Sequence, residues 1–138
     1  MKNVPSVCVT EVKDSVIRFE ENRSVIRFLN QERRTYKSVQ VDGCAITQGL
    51  KCDNLLTNKD ETKERFVELK GTDISHGLDQ LRDSMQKLGE FPEGRKAYLI
   101  FTACSPAFST RLQLAKKEFK KQYNAELIAK RTPWEERL

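Results

Sequence analysis

Residues 96–103, KAYLIFTA, constrain this chain more than any other stretch, because they form an almost unbroken apolar run of strand length. A strand with one solvated face alternates apolar and polar side chains, whereas one that is apolar on both sides has to be covered on both. The run therefore belongs in the middle of a sheet, with structure packed above and below it. Helical patterns stand on either side of it. Before it, Ile74, Leu78, Leu81, Met85 and Leu88 recur in one narrow stripe, with Thr72, Asp73 or Ser75 available as the cap and Gly89 as the stop. Phe91-Pro92-Glu93-Gly94 reads as the loop that follows. After the run, Ser105-Pro106 predicts a cap with proline at the first helical position. Phe108, Leu112, Ala115 and Phe119 then stripe a second helix that reaches Tyr123.

The first half of the chain supplies the other strands. Residues 35–46 alternate Tyr36, Val39 and Val41 before the turn signal Asp42-Gly43. Residues 49–56 read as a second strand and, past the polar loop 57–64, residues 65–70 as a third. The three predict an antiparallel meander. Upstream, SVIRF occurs twice, at residues 15–19 and 24–28, around Glu20-Glu21-Asn22-Arg23. So short a repeat is not a solenoid unit. Two strands joined by the polar tetrapeptide make a hairpin; a helical segment in the first thirty residues is the rival reading. AELIAK, residues 125–130, predicts a short strand at a sheet edge. The order of elements is that of a mixed α/β sandwich.

Composition narrows the class. The chain of 138 residues is 38% apolar and 33% charged, enough for one domain with its own core. It holds no apolar run long enough to span a bilayer, and residues 1–15 lack the apolar block of a secretory signal. A soluble cytoplasmic protein is the expectation. Cys8, Cys44, Cys52 and Cys104 show no C-x-x-C spacing and the single His76 has no cysteine near it, which argues against a zinc site. In a reducing compartment the cysteines are small buried apolar side chains, with a Cys44–Cys52 bridge left open. The net charge of +5 is uneven: residues 1–110 hold 17 basic and 16 acidic residues, whereas residues 111–131 hold seven basic residues against Glu118 and Glu126. Such concentration points to a polyanionic partner. Lys116, Lys117, Lys120 and Lys121 fall on the side of the second helix away from its apolar stripe. There they would hold a nucleic-acid backbone, although the plainer reading is a solvated face.

Residues 65–70, RFVELK, pose the chemical question. Glu68 and Lys70 project from one face of an otherwise apolar strand, and Asp53 lies on the strand before it. A solvated ion pair on an edge strand is one reading. The other is a site: two carboxylates and a lysine converging at one place repel unless a cation sits between them. Oxygen ligands suit Mg²⁺, which can polarise a phosphoryl oxygen and acidify a water, while a lysine offsets charge on the phosphate.

Asp53 followed by Glu68-Leu69-Lys70 at the end of the next strand, and then by an amphipathic helix, resembles the PD-(D/E)XK nuclease superfamily. The longer phrase KCDNLL…RFVELKGTDISHGLDQL is similar to its small bacterial and phage-borne members. The likeness covers residues 36–104. It implies a restriction-endonuclease-like mixed β-sheet flanked by helices, here with an N-terminal hairpin, in a single nuclease domain over residues 1–138. Within it, 1–34 is the hairpin extension, 35–104 the catalytic core and 105–138 the basic helix and tail. It further implies Mg²⁺ or Mn²⁺ on Asp53, Glu68 and the Leu69 carbonyl, and Lys70 positioning the attacking water. The implied partner is nucleic acid, DNA before RNA, with little sequence specificity, no membrane association and a homodimer among the arrangements, as a junction resolvase would need. A non-catalytic binding module that kept the fold is the alternative. Cys52 stands where the signature has proline, and Ser84 where some branches carry the tyrosine of Q-x-x-x-Y, although Gln80 is present and is taken as a site residue. Some subfamilies add an acidic residue on an earlier helix. Glu20, Glu21 and Glu32 are candidates, none of them on a convincing helix.

Overall fold

In the computed structural model, residues 1–90 and 93–138 are described. The Phe91-Pro92 part of the expected loop lies outside the described residues. The apolar run takes the central place its pattern demands: β7 (Arg95–Phe101) lies between β6 (Glu64–Leu69) and β8 (Ala125–Arg131) and is parallel to both. Each parallel step crosses over through a helix, α1 (Ile74–Leu88) between β6 and β7 and α2 (Phe108–Tyr123) between β7 and β8. The meander joins antiparallel on the other side of β6, through β5 (Asn54–Asn58) and β4 (Tyr36–Gln40), and β1 (Val9–Val12) forms the far edge. The sheet order is thus β1-β4-β5-β6-β7-β8.

Strand alternation divides the core in two. Phe66, Ala97, Leu99, Phe101 and Leu127 face one way and bury the α1 stripe together with Ala115 and Phe119 of α2. Val67, Leu69, Tyr98 and Ile100 face the other way, against a second sheet. That second sheet is the repeat itself. The two copies pair as β2 (Val16–Glu21) and β3 (Ser24–Leu29), setting Ile17 opposite Phe28 and Phe19 opposite Ile26 on the inner face. The turn is only Asn22-Arg23, both with positive φ of 51° and 65°, the geometry that matches strand twist in a two-residue hairpin. Chain termini complete the layers. β9 (Trp134–Arg137) adds in parallel beside β3, so Trp134 docks on the body of the same chain, with Lys130 4.9 Å from its ring centroid.

Several boundaries differ from the sequence reading. β5 starts at Asn54 and runs into the expected loop, because Thr57 pairs with both Lys37 and Glu64. Residues 49–53 stay irregular. α2 starts at Phe108, since Ser105 and Pro106 are used in a turn whose carbonyls accept from Phe108 and Ser109. β1 and β9, four residues each, were too short to declare a period. The cysteines also depart from expectation: Cys8 and Cys44 form a disulfide, while Cys52 and Cys104 are free. The partner of Cys44 is therefore not Cys52, and cysteine usage no longer argues for a reducing compartment. No helix among the described residues is long and apolar enough to cross a membrane.

The bridge closes a loop with a sequence separation of 36 and ties the start of β1 to the turn after β4. By the loop-entropy argument, a Cys8→Ser, Cys44→Ser double variant loses about 3–4 kcal/mol of stability in urea unfolding. A variant as stable as the parent would show that the bridge does not constrain the unfolded chain.

Candidate active site

All six residues of β6 are buried, so its two acidic positions are held inside the protein. Glu68 shares the helix-facing side with Phe66 and is 1% exposed. Its side chain fits there because α1 carries Gly77 directly above. A Cβ at Gly77 would lie 2.7 Å from Leu99 Cδ1, 3.1 Å from Lys70 Cγ and 3.6 Å from Glu68 Cγ. Lys70 Nζ, 15% exposed by side chain, stands 3.3 Å from Glu68 Oε2. Glu68 Oε1 is buried and has no hydrogen-bond partner.

Asp53 arrives by a different route. β5 pairs with β6 only as far as Asn54 opposite Val67. The Asp53 backbone N–H adds one more bond, to the Val67 carbonyl at 3.1 Å. Beyond it the side chain takes over, Oδ2 accepting the Leu69 N–H at 2.7 Å. Asp53 is thereby fixed one residue along from Glu68. From the small sheet, Glu21 at the end of β2 brings its carboxylate into hydrogen-bonding reach of Asp53, and Asp42 adds charge nearby. A cleft of about 470 Å³ opens here, lined by Phe19, Glu20, Glu21, Gln40, Asp42 and Asp53 among others.

Burial and mutual repulsion set the protonation. Burial pushes Asp53 up to about 7, opposed by the Leu69 N–H and reinforced by Glu21. Burial likewise pushes Glu68 up to about 9, with the Asp53 charge adding to it and Lys70 opposing. Glu21, Asp42 and Asp53 line the cleft, whereas Glu68 is buried behind it under α1. Among the described residues no three His, Cys, Asp or Glu side chains gather tightly enough to cage one ion.

The structure thus places Asp53 on the Leu69 N–H, next to the paired Glu68 and Lys70, and sets Glu21 near Asp53. Glu21, one of the three candidates for the additional acid, ends a strand beside a tight turn and is not on a helix. Other expectations land elsewhere. The Leu69 carbonyl accepts from Asn22 Nδ2 at 3.0 Å, so the hairpin turn occupies it. Gln80 is not among the carboxylates: its Nε2 donates to the Lys51 carbonyl at 2.9 Å. One turn on, Ser84 Oγ accepts the Cys52 N–H at 2.7 Å. Gln80 and Ser84 together clamp the segment that delivers Asp53, a role invisible before the packing of α1 was known. His76 is exposed and its backbone N–H is taken by the capping carboxylate of Asp73. Lys116, Lys117, Lys120 and Lys121 are exposed in the second half of α2, which runs away from the ends of β6 and β7 where the site lies. Lys116 and Lys120 line a groove with Arg95, Lys96 and Asn124 at the opposite end of the sheet.

Compared with protein-family models, curated proteins and solved structures, the chain has no match.

Two outcomes are expected. The folded-state values of Asp53 and Glu68 lie above the ordinary 3.8 and 4.5, so the folded chain binds more protons than the unfolded one in between. Their contribution to stability is complete below the ordinary values and is lost as pH rises through about 7 and then about 9. In metal-free buffer the melting temperature should fall across that window, and Glu68→Gln should flatten the upper part; a wild-type curve that rises instead would contradict the burial. Second, Gly77→Ala should lower stability by about 1–3 kcal/mol in urea unfolding, because the added methyl overlaps Leu99 and Lys70. No change would mean that α1 can lift off β6 freely.

Proposed function

We propose that this chain is a divalent-metal-dependent phosphodiesterase acting on nucleic acid, DNA before RNA, with the fold and site of the PD-(D/E)XK nucleases. The observation that carries the reading is Glu68 Oε1, a buried carboxylate oxygen without a partner, one residue from the bond that fixes Asp53 and beside the Lys70 ammonium. Buried acids in this arrangement stay protonated near neutral pH or require a cation. Lys70 supplies one positive charge to at least two carboxylates.

The donor set suits a hard cation. Asp53 and Glu68 would hold Mg²⁺ or Mn²⁺, with Glu21 within reach of the first, and an ion that keeps several waters needs no more than one or two carboxylates. Such an ion, when bound, supplies a charge at a phosphoryl oxygen and an acidified water. The chain does the rest. The Leu69 N–H orients the Asp53 carboxylate, and Gln80 and Ser84 fix the backbone before it. Lys70 keeps its ammonium beside Glu68, where it would donate to a phosphate oxygen or to a water held by the ion. The hairpin screens the back of β6 from solvent through Phe19, Ile26 and Phe28.

A second reading has an observation of its own. The Asp53–Leu69 bond extends the ladder and Glu68 pairs with Lys70, which a non-catalytic module could use for stability alone.

Incubation with plasmid, linear duplex, single strand and RNA, in Mg²⁺, Mn²⁺ or EDTA, separates the two readings. Cleavage should require the metal and fall by about 100-fold or more in Lys70→Ala, the scale of losing one charge-stabilising donor. In parallel, Mn²⁺ should raise the melting temperature of the wild type and leave Glu68→Gln unmoved. Cleavage indifferent to EDTA and to Lys70→Ala, or no metal response in either assay, would reject the enzyme in favour of the module.

A further inference from the structure

We propose that the phosphodiester backbone of a nucleic acid lies along the rim formed by the C-terminal ends of β6, β7 and β8 and the hairpin turn. Arg23, Arg111 and Arg131 hold it there, not the lysine face of α2. The inference rests on the phosphodiesterase reading and locates its substrate.

The rim is one continuous structure. The Thr102 N–H donates to the Gly71 carbonyl at 2.9 Å and the Thr132 N–H to the Phe101 carbonyl at 2.8 Å. The hairpin is tied to the same edge, Ser24 Oγ donating to the Lys70 carbonyl at 2.6 Å and the Val25 N–H to Thr132 Oγ1 at 2.8 Å. Lys70 therefore sits on this rim, and a cavity of about 390 Å³ joins it to Asn22, Arg23, Gly71, Thr72 and Asp73. A backbone that reaches the Lys70 ammonium has to cross these residues.

The rim's arginines are available to it. Arg23, Arg111 and Arg131 are exposed, and among the described residues none of them forms an ion pair. Two are anchored by neutral partners: Arg131 Nε donates to the Thr102 carbonyl at 3.0 Å, and Arg111 Nη1 donates to Ser75 Oγ while its guanidinium lies over the Phe108 ring. Anchored, unneutralised guanidiniums suit phosphate oxygens. Nearby acids are few. Asp73 is engaged as the cap of α1, and Glu20 and Glu21 lie on the cleft side of the turn.

Arg23 carries a further signal. It occupies the second turn position with φ of 65°, where glycine is favoured, so an arginine side chain is kept there against backbone preference. The lysines of α2 lack such placement. α2 begins at the rim with Phe108 and ends at Tyr123, just before β8 starts at the other end of the sheet.

Binding of a labelled duplex of about 20 base pairs, followed by fluorescence anisotropy in EDTA over a salt series, tests this. Arg23→Gly with Arg131→Gln should weaken binding about tenfold or more and lower the salt slope by about 2, one phosphate contact for each residue. Lys116→Gln with Lys120→Gln should bind within about twofold of wild type. Arg23→Gly should also melt higher than wild type, so that its weaker binding is not lost folding. Rim variants that bind like wild type, or α2 variants that lose more, would overturn the placement, as would a wild type that binds no duplex at low salt. The metal-free readout keeps the two proposals apart. A protein that binds through the rim but never cleaves sinks the phosphodiesterase reading alone. One that cleaves, with rim variants indistinguishable from wild type, sinks the rim alone.

Discussion

The hydrogen bond from the Leu69 N–H to Asp53 Oδ2, at 2.7 Å, is the interaction on which the rest of this structure depends. β5 ends one residue too early to pair the tip of β6, and a buried N–H without a partner is costly. A carboxylate fills the gap. The two neighbouring bonds are equally specific: the Lys70 N–H reaches the Ile100 carbonyl at 2.8 Å, and Asn22 caps the Leu69 carbonyl. With the backbone of 69–70 satisfied from three directions, the side chains on either side of Leu69 have little freedom. Asp53 and Glu68 are forced together by ladder geometry and not by attraction. Burial raises both acids, and their proximity adds to it for Glu68.

That geometry needs cover on both faces of the sheet. α1 can lie close over Glu68 and Lys70 because residue 77 has no side chain, and α1 in turn holds residues 51 and 52 through Gln80 and Ser84. The opposite face is closed by the hairpin, whose Phe28 packs edge-on against Tyr98 with ring centroids 5.2 Å apart. The hairpin is more than a lid for the core. Its last strand residue, Glu21, meets Asp53, and its turn clamps the end of β6. A single short ribbon therefore links the second core to the acidic cleft.

Much of this was legible in the residues themselves. The central strand, the stripe and stop of α1, the meander and the repeated SVIRF hairpin all carry strong local periodicity, and each forms near where its pattern put it, with the middle strand of the meander shifted into the expected loop. That Asp53 would stand beside the Glu68-Leu69-Lys70 stretch followed from strand alternation plus one hairpin, but not that its carboxylate would accept the Leu69 N–H. What was hidden depends on contacts distant in sequence. β1 and β9 are four-residue strands that exist because β4 and β3 offer them an edge. The Cys8–Cys44 bridge spans elements whose adjacency only the sheet order creates. Glu21 has no mark of its own beside Glu20, and Ser84 looked like a missing tyrosine when its hydroxyl is what receives Cys52.

The Glu68–Lys70 pair bears on why such a site persists. Buried ion pairs seldom add net stability, since desolvation offsets the attraction, and an apolar residue of similar volume often serves as well or better. Position 68 is flanked by Phe66, Leu99 and Gly77, surroundings that would accept a leucine or a methionine. Keeping a glutamate there leaves one oxygen unpartnered and places a second acid within its field. Lys70 offsets only part of this, for it pairs with one oxygen and leaves the other unmet. An arrangement chosen for folding alone would put an apolar residue at position 68 in place of an acid that burial keeps protonated near neutral pH. One that must receive positive charge from outside would leave it as it stands, with one oxygen on the Lys70 ammonium and the other unmatched.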